Sequence, residues 1–427
     1  MSASQSTGRF TRGFYGWYVL GAGFIILFFN TGARLSFGVM FKPMLAEFGW
    51  DRATLSSAFL LHMAVYALSL VIAGRWYDRY GPQRVIILST IFLALGYALT
   101  AWINTLWQFW VCYGILAAMG LGGTSVPLVA ALMSKWFEVW RGLAISLTLC
   151  GSSLGHFVLV PLCSWLITVY GWRIAYLALG IAMLVINIVL SVWIIRGDPV
   201  DLGQQPFGAP NGSPDPASTA SVAVENRPRD LNLQQAMRTA SFWFFLVAMS
   251  ICGSGDFMVT THFIPWVTDH GVSAATGGQM LAWYGLLSLA GLLVVGPASD
   301  LIGSKFPIAL TFILRFGLFL LVIRWQTLTS FYLFALAFGF THLITAPLTP
   351  ILVGRLYGLS HVGVIAGLIT TVHHLAGGLW AYWGGVIFDR TGSYQSAFYV
   401  SAVMVVVALV SSLLIREQRH AASFPGR

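Results

Sequence analysis

Apolar stretches long enough to cross a bilayer fill most of this sequence and restrict its fold more than any other feature. A membrane-spanning helix needs about 20 mainly apolar residues, and twelve segments reach or approach that length. We place them at 16–41, 54–74, 84–103, 107–133, 142–168, 173–195, 241–267, 278–297, 306–324, 329–353, 362–388 and 395–415. Only 9% of the 427 residues are charged, too few to cover a water-soluble surface of that size. The sequence therefore predicts an all-α membrane protein with twelve transmembrane helices.

A short polar motif between the second and third helices occurs again between the eighth and ninth. The first copy contains Gly74, Asp78, Arg79, Gly81 and Arg84. The second copy follows 222 residues later and contains Gly296, Asp300, Gly303 and Lys305. The glycines that open helices 5 and 11, Gly142 and Gly363, repeat at nearly the same offset, 221 residues. A constant offset indicates a duplicated chain, and we predict one six-helix bundle at 1–195 and a second at 241–427.

The segment 196–240 joins the two predicted bundles and is rich in Pro, Gly, Ser and charged residues, which favours a flexible linker. Sixteen of the 23 lysines and arginines fall on the membrane side that would carry this linker and both termini, whereas five fall on the other side. Membrane proteins concentrate positive charge in their cytoplasmic loops, so we expect the linker and both termini to be cytoplasmic. We expect a monomeric, multi-pass protein of a bacterial cytoplasmic membrane, surrounded by lipid. The net charge of +9 then reflects topology and does not indicate nucleic-acid binding.

Motifs typical of enzymes do not occur in suitable positions of the sequence. We find no nucleophile elbow, Walker phosphate loop, dinucleotide-binding fingerprint or zinc-ligand spacing in a suitable context. We therefore expect no enzymatic activity, no cofactor and no metal. Any transport would draw its energy from a solute or ion gradient.

The repeated motif and the arrangement of six helices, a linker and six helices resemble the major facilitator superfamily. This resemblance implies that the motif with Asp78 controls the side to which the protein opens. A finer resemblance, to monocarboxylate transporters and bacterial organic-anion porters, rests on four segments: Tyr-Gly-Trp at 15–17, Phe-Gly-Val-Met-Phe-Lys-Pro at 37–43, Glu-Phe-Gly-Trp at 47–50 and Arg-Gly-Leu-Ala at 141–144. The sequence departs from that branch in helix 8, where Leu292 and Gly296 replace the family's Asp and Arg. An acid would therefore have to be bound by other residues.

Three charged residues lie within the predicted hydrophobic helices: Arg34 in helix 1, Asp256 in helix 7 and Arg315 in helix 9. A charge inside a membrane is costly unless it faces a cavity or a partner, so each is a candidate functional residue. Arg34 and Asp256 are separated by the repeat offset of 222 residues, and helices 1 and 7 face each other across the central cavity of the inferred fold. We therefore expect these two side chains to meet or to share a substrate.

We predict that Arg34 binds a carboxylate through its planar guanidinium, and that Asp256 takes up a proton when its pair with Arg34 is broken. The alternative is a structural ion pair that closes the outer side of the cavity. Arg315 lies on a helix that is peripheral in the inferred fold. It could extend to the membrane surface, pair with a neighbouring helix or contact the substrate.

Other polar residues of the membrane helices are weaker candidates for substrate binding. His373 and His374 are adjacent in helix 11, and because neighbouring residues point about 100° apart on a helix, we expect one of them to face the cavity. Asn30, one turn before Arg34, and Tyr284 in helix 8 are also predicted to contact substrate. We assign three other histidines to the packed core: His156, His262 and His342.

These features together predict a secondary transporter of small organic anions. The resemblance implies proton-coupled symport of a monocarboxylate such as lactate or pyruvate by alternating access. An exchanger or uptake carrier for another small organic solute is the alternative within transport. A transporter-like membrane sensor is the alternative from another class, and it would bind its ligand without moving it.

Overall fold

Twelve long apolar helices make up most of the structure, as the sequence predicts. The computed structural model of the protein describes residues 13–208, 231–358 and 361–417. The helices are α1 (Gly16–Phe48), α2 (Arg52–Tyr80), α3 (Pro82–Thr100), α4 (Leu106–Trp136), α5 (Arg141–Tyr170), α6 (Trp172–Trp193), α7 (Ala240–Asp269), α8 (Ala274–Ile302), α9 (Lys305–Arg324), α10 (Leu328–Tyr357), α11 (Val362–Thr391) and α12 (Gln395–Leu414). Each is long and apolar enough to cross a membrane. The chain is a multi-pass integral membrane protein of the all-α class.

The linker defines the two faces of the molecule. An even number of spans places the start of α1, the end of α12 and the linker on one side, which we call the linker face; the other side is the opposite face. The predicted linker, 196–240, lies in part outside the described residues, as do both termini. We call α1–α6 the first half and α7–α12 the second half. The described ends of the linker are attached to different halves: the Phe207 N–H donates to Trp136 O (2.8 Å), and the Leu231 N–H donates to Tyr357 O (2.9 Å).

The polar motif after the predicted second helix is mostly helical, which corrects the predicted helix end at residue 74. α2 continues past its predicted end, so that Gly74, Asp78 and Arg79 lie in its last turns. The chain turns only at Gly81 (φ 80°), and the second copy turns in the same way at Gly303 (φ 86°); only glycine adopts such a φ without strain. The 29 residues of α2 span about 43 Å, more than the roughly 30 Å of hydrocarbon, so the helix extends into the polar interface.

Three membrane helices are interrupted near their middle; α10 is interrupted between His342 and Thr345. α1 is interrupted at Ser36, whose hydroxyl donates to Gly32 O (2.8 Å), and α4 is interrupted at Thr124 after a π-helical segment over 110–117. Irregular backbone inside a membrane is tolerated where protein or a cavity surrounds it, and π-helical segments are frequent at functional sites. The interruption of α1 follows directly after Arg34.

Glycines allow helices of the same half to approach to backbone contact. A Cβ atom at Gly155 in α5 would lie 2.0 Å from Phe28 O in α1, and one at Gly253 in α7 would lie 2.0 Å from His373 O in α11. No side chain fits at such distances. The helix pairs α1–α5 and α7–α11 are therefore the tightly packed centre of each half.

The two halves contact each other toward the opposite face. A Cβ atom at Gly385 in α11 would lie 2.8 Å from the backbone nitrogen of Ala53, near the start of α2. At the linker face, the polar contacts that the structure describes join helices of the same half, such as Arg355 of α10 to Glu417 after α12 (2.9 Å). The described contacts between the halves thus lie toward the opposite face.

Candidate functional site

Arg34 lies at the boundary between the two halves. It occupies the last turn of the first segment of α1 and is partly exposed. Its guanidinium carbon lies 5.6 Å from the ring centre of Tyr66 in α2 and 5.5 Å from that of Phe257 in α7. Cation–π attraction at these distances stabilises the guanidinium beside both rings. Tyr66 belongs to the first half and Phe257 to the second, so both halves build this pocket.

The donors of the Arg34 guanidinium are incompletely satisfied. Its Nε and Nη1 atoms are buried, and neither has a hydrogen-bond partner among the residues that the structure describes. An unpaired buried donor costs about 1–3 kcal/mol, and more when it is charged. A carboxylate is the group that best satisfies an arginine fork, because it accepts parallel hydrogen bonds. The environment of Arg34 therefore suits an organic acid.

His374 is the α11 histidine that contacts this pocket. Its ring centre lies 4.9 Å from that of Tyr66 and 5.5 Å from that of Phe257. Its Nδ1 lies 2.7 Å from Thr370 O; because a carbonyl only accepts, Nδ1 carries a hydrogen, and Nε2 is the nitrogen that can contact a ligand. We refer to Arg34, Tyr66, Phe257 and His374 as the Arg34 pocket.

Asp256 pairs with Arg315 and not with Arg34, which corrects the expected meeting of the two. Arg315 Nη2 lies 2.7 Å from Asp256 Oδ1, and the two side chains are 1% and 2% exposed. Arg315 Nε also donates to Thr341 Oγ1 (3.0 Å), and its guanidinium carbon lies 4.4 Å from the ring centre of Phe338. The Asp256 side chain lies inside the second half, where α9 supplies its counter-charge. Arg315 thus pairs with a neighbouring helix, which is one of the three alternatives that the sequence left open; its contact with substrate stays a prediction.

Two histidines extend this ion pair into a larger group. His342 Nδ1 lies 3.3 Å from Asp256 Oδ1, and His373 Nε2 lies 3.8 Å from Asp256 Oδ2. The two adjacent histidines of α11 therefore have separate surroundings, His374 at the Arg34 pocket and His373 at Asp256. We refer to Asp256, Arg315, His342 and His373 as the buried ion cluster.

Part of this cluster has atoms at metal-ligand spacing. One ligand atom each of Cys252, Asp256 and His373 lies within 4.8 Å of the others. Arg315, however, places Nη1 3.5 Å from Cys252 Sγ and Nη2 2.7 Å from Asp256 Oδ1. A guanidinium beside these atoms would repel a metal cation. We therefore interpret Cys252, Asp256 and His373 as neighbours of Arg315 and not as a metal site.

Tyr284 connects the buried ion cluster to the interface between the halves. Its buried ring centre lies 5.1 Å from that of His342 and 5.2 Å from that of His156 in α5. Within the described part of the chain, Tyr284 Oη, both His156 nitrogens and His342 Nδ1 have no hydrogen-bond partner. Ser153 Oγ and Ser288 Oγ are 2.9 Å apart across the same interface. His156 and His342 are thus packed inside the protein, as predicted for core histidines, but these ring nitrogens have no hydrogen bond to a neighbouring helix within the described part of the chain, and Tyr284 is buried in this conformation.

Two other predicted residues are used in packing. Asn30 Nδ2 donates to Thr124 Oγ1 (2.8 Å) and to Leu121 O (3.3 Å). Its amide bonds to the point where α4 is interrupted, and the side chain is 2% exposed in this conformation, so the predicted contact with substrate stays a prediction. His262 places Nε2 2.7 Å from Ala381 O, which confirms its assignment to the core.

Charged residues join the halves at the opposite face. Lys42 Nζ lies 2.6 Å from Asp269 Oδ1, and Arg52 Nη2 lies 2.8 Å from Asp269 Oδ2. Asp389 of α11 accepts hydrogen bonds from the backbone N–H groups of Arg52 (3.1 Å) and Ala53 (2.7 Å) at the start of α2, where a negative charge is favourable. We refer to Lys42, Arg52, Asp269 and Asp389 as the opposite-face cluster. These pairs could not be predicted from the sequence, because the partners are distant along the chain.

The second copy of the repeated motif is attached to the end of α12. Glu417 accepts from the N–H groups of Ser304 (3.0 Å) and Lys305 (3.1 Å) and pairs with Arg355 (2.9 Å). Burial raises the pKa of Glu417, but these donors outweigh it, and the resulting pKa lies below the ordinary value. The attachment is therefore present at neutral pH and is lost as the pH falls through the lowered pKa. The Asp300 side chain lies outside the described part of the structure.

The conformational role of the repeated motif stays a prediction. It concerns Gly74, Asp78, Arg79, Gly81, Arg84, Asp300 and Gly303.

Twelve membrane-spanning helices in two closely packed halves, with a charged pocket at their boundary, define a helical membrane transporter. The sequence profile of the Major Facilitator Superfamily matches residues 23–282 and 245–427, and the chain belongs to this family.

Several relatives are similar over nearly the whole chain. The uncharacterized MFS-type transporter YcxA of Bacillus subtilis (strain 168) is 25% identical over 406 residues, which covers 93% of this chain and 94% of the relative. Monocarboxylate transporter 13 of Bos taurus is 25% identical over 409 residues (92% and 88%), and monocarboxylate transporter 11 of Homo sapiens is 26% identical over 411 residues (92% and 81%). A solved bacterial homolog of the human lysosomal transporter Spinster, inward-facing and occupied, has a TM-score of 0.72 at 14% identity and covers 94% of this chain and 97% of its own. That likeness shows a shared fold.

Proposed function

We propose that this protein is a secondary transporter of small organic anions, and that it moves a monocarboxylate such as lactate or pyruvate together with a proton. The observation that carries the proposal is the Arg34 guanidinium, which has two buried donors without a described partner at the boundary between the halves. The carboxylate would bind Arg34, and the rest of the acid would contact Tyr66, Phe257 and His374. Similarity to proteins named monocarboxylate transporters supports this substrate class.

Transport would follow alternating access across the boundary between the halves. We assign the linker face to the cytoplasm on the excess of lysines and arginines at that face, and a bacterial relative supports a bacterial cytoplasmic membrane. The structure then represents the state that is open to the cytoplasm. Separation of the opposite-face cluster would open the pocket to the outside, while the linker-face ends of the two halves approach each other.

Proton coupling would connect the Arg34 pocket to the buried ion cluster. Because Arg315 neutralises Asp256, an anion at Arg34 does not free Asp256 directly. The two sites are joined by neighbours in sequence instead: Asp256 precedes Phe257 in α7, and His373 precedes His374 in α11. A substrate that displaces Phe257 or His374 therefore displaces a member of the ion cluster. We propose that anion and proton binding are linked through these two pairs.

Flux measurements on the purified protein in proteoliposomes test the proposal. Counterflow of labelled lactate is measured in competition with unlabelled acids of two to five carbons and with the neutral amides of the same acids. We expect the acids to compete and the amides to fail, because only a carboxylate satisfies Arg34. Competition by amides alone would point to a carrier of another solute, and ligand binding without flux would identify a sensor.

A further inference from the structure

His342 ends the first segment of α10, at the point where the helix is interrupted before it resumes at Thr345. The carbonyl end of a helix favours a positive charge. The side chain is 9% exposed, and Nδ1 lies 3.3 Å from Asp256 Oδ1 without the geometry of a hydrogen bond. A protonated His342 would therefore gain both a carboxylate partner and a favourable helix end.

The charges around His342 come from every helix that packs against it. Asp256 of α7 carries a negative charge and Arg315 of α9 a positive one, while His373 of α11 and Tyr284 of α8 complete the surroundings. A proton on Asp256 would break the 2.7 Å pair and leave Arg315 buried without a counter-charge, which is strongly unfavourable. A proton on His342 keeps that pair, because one carboxylate can accept several donors.

His373 is the other base that faces Asp256, and its surroundings favour it less. Its Nδ1 lies 3.1 Å from Met249 O and so carries a hydrogen, and its Nε2 is 3.8 Å from Asp256 Oδ2, farther than the 3.3 Å of His342. A second observation points to His342. The His342 ring lies next to Tyr284, and His156 lies next to Tyr284 in turn. The polar side-chain atoms of Tyr284 and His156 also have no hydrogen-bond partner among the described residues.

This row of polar groups reaches the interface between the halves. His156 belongs to α5 and Tyr284 to α8, and a Cβ atom at Gly285 of α8 would lie 2.9 Å from His156 Cβ. These two helices must separate when the protein opens at the opposite face. Separation would expose the row to water, so that His342 could take a proton from that side. After closure of the opposite face, the proton would leave toward the linker face, past His373 and His374.

We propose that His342 is the binding site of the coupled proton, which it holds as an imidazolium beside the Asp256–Arg315 pair. The proton is taken from a hydronium ion at the opposite face, whose O–H bond breaks as the N–H bond forms, and it returns to water at the linker face, where the N–H bond breaks and an O–H bond forms. This inference rests on the proposed proton-coupled transport. A proton on His342 adds a buried positive charge, which an anion at Arg34 offsets; the proton is therefore retained when the anion is bound.

The test uses the full chain in proteoliposomes that contain a pH-sensitive dye. Lactate counterflow, acidification of the lumen during lactate entry, and the effect of a potassium diffusion potential are measured for the wild type, His342→Asn and His373→Gln. The Asn amide occupies the position of Nδ1 but does not titrate. The matched control is His270→Asn, a histidine near the opposite face that pairs with Gln326 (2.7 Å) outside both sites.

We expect His342→Asn to retain counterflow, to lose lumen acidification, and to become electrogenic, so that a positive interior speeds lactate entry. The control should remain electroneutral and proton-coupled. If His342→Asn does not fold, His342→Gln is measured in its place. Proton movement that persists with counterflow in the His342 variant overturns the inference, as does loss in His373→Gln alone. A wild type that exchanges lactate without acidification refutes the coupling itself, and one that moves no lactate refutes the proposed function.

Discussion

Arg34 and Arg315, which both lie within membrane helices, differ in how their charge is compensated. Arg315 is 1% exposed and bound to Asp256, Thr341 and Cys252 O. Arg34 is partly exposed, contacts two aromatic rings and retains buried donors without a described partner. An arginine whose donors are all occupied is a structural element, whereas one with open donors at a boundary can bind a ligand. This difference is why we propose Arg34, and not Arg315, as the substrate site.

Replacement of Arg34 by lysine should impair transport although the charge is kept. A point ammonium cannot reproduce the fork against a carboxylate, and each charge-assisted hydrogen bond that is lost, about 1.5–3 kcal/mol, should raise KM about 10- to 100-fold. Initial rates of lactate uptake against concentration measure the effect. Arg324→Lys, at the exposed end of α9, is the matched control and should behave as wild type. Normal uptake by Arg34→Lys would make Arg34 a structural residue.

The Asp256–Arg315 pair should show strong coupling in a double-mutant cycle. Removal of one partner, in Asp256→Leu or Arg315→Met, leaves a buried charge alone and should destabilise the protein by about 3–5 kcal/mol. The double variant has no buried charge at this place and should be more stable than either single variant. Thermal unfolding of the four purified proteins provides the measurement. Additive losses would show that the two side chains do not stabilise each other.

The sequence was sufficient to find the charged residues but not their partners. A charged residue inside an apolar segment can be recognised from the sequence alone, so Arg34, Asp256 and Arg315 could be found. Which acid meets which base depends on helix rotation, and the repeat offset alone suggested the wrong pair. The position of His156 at the interface between the halves could not be predicted for the same reason, although the neighbouring Gly155, a residue of close helix contact, was a usable signal.

The opposite-face cluster is the set of contacts that keeps the ends of α2, α7 and α11 together. Asp269 receives both Lys42 and Arg52 (2.6 and 2.8 Å), and Asp389 binds the first N–H groups of α2. These are partly exposed ion pairs, each worth about 1 kcal/mol or less. Contacts of that size suit an interface that must open in every transport cycle.

Asp269→Asn should shift the protein toward the state that is open at the opposite face. The change leaves Lys42 and Arg52 without their shared carboxylate. In a cysteine-free background, a cysteine at Leu60, whose Cα lies 3.3 Å from the Cβ position of Gly378 across the interface, should react faster with an impermeant thiol reagent. Glu47→Gln is the matched control, because Glu47 pairs with Arg173 inside the first half. Equal labelling rates in both variants would remove the cluster as a closing element.

Helix ends were predicted less well than helix number. The apolar pattern locates the hydrocarbon-spanning part, but α2 and α8 continue beyond it as polar helix and end only at Gly81 and Gly303. The interruption of α1 at Ser36 was not predicted, because its cause is a hydroxyl bond to the preceding turn and not a proline. A serine hydroxyl that bonds to a carbonyl of the preceding turn hardly changes the hydropathy profile of the sequence.

The orientation of the whole molecule can be tested by labelling from one side. Positive charge predicts that the linker face is cytoplasmic. In intact cells, a cysteine at the exposed Asp201 should be protected from an impermeant reagent, and one at the exposed Thr391 should react. Cell lysis should make both reactive and is the control for accessibility. Reaction of Asp201 in intact cells would reverse the assignment of the two faces.

The number of spans and the fold class followed from the sequence because lipid imposes a length on every helix. The conformation did not, because both access states bury similar apolar surfaces within each half and differ only in the contacts between halves. Those contacts are few and distant in sequence, as Gly385 against Ala53 illustrates.

Arg34 is stabilised by one ring from each half, and this has a kinetic consequence. Tyr66 moves with Arg34 as part of the first half, whereas Phe257 belongs to the second half and changes its position when the halves rotate. The guanidinium therefore presents different surroundings to a solute arriving from the two sides, and half-saturation should occur at different concentrations for entry and exit. Microscopic reversibility then requires the loaded and the empty carrier to distribute differently between the two orientations. Such a carrier is half-saturated at a low solute concentration on one side of the membrane and at a high concentration on the other, while the equilibrium distribution of the solute is unchanged.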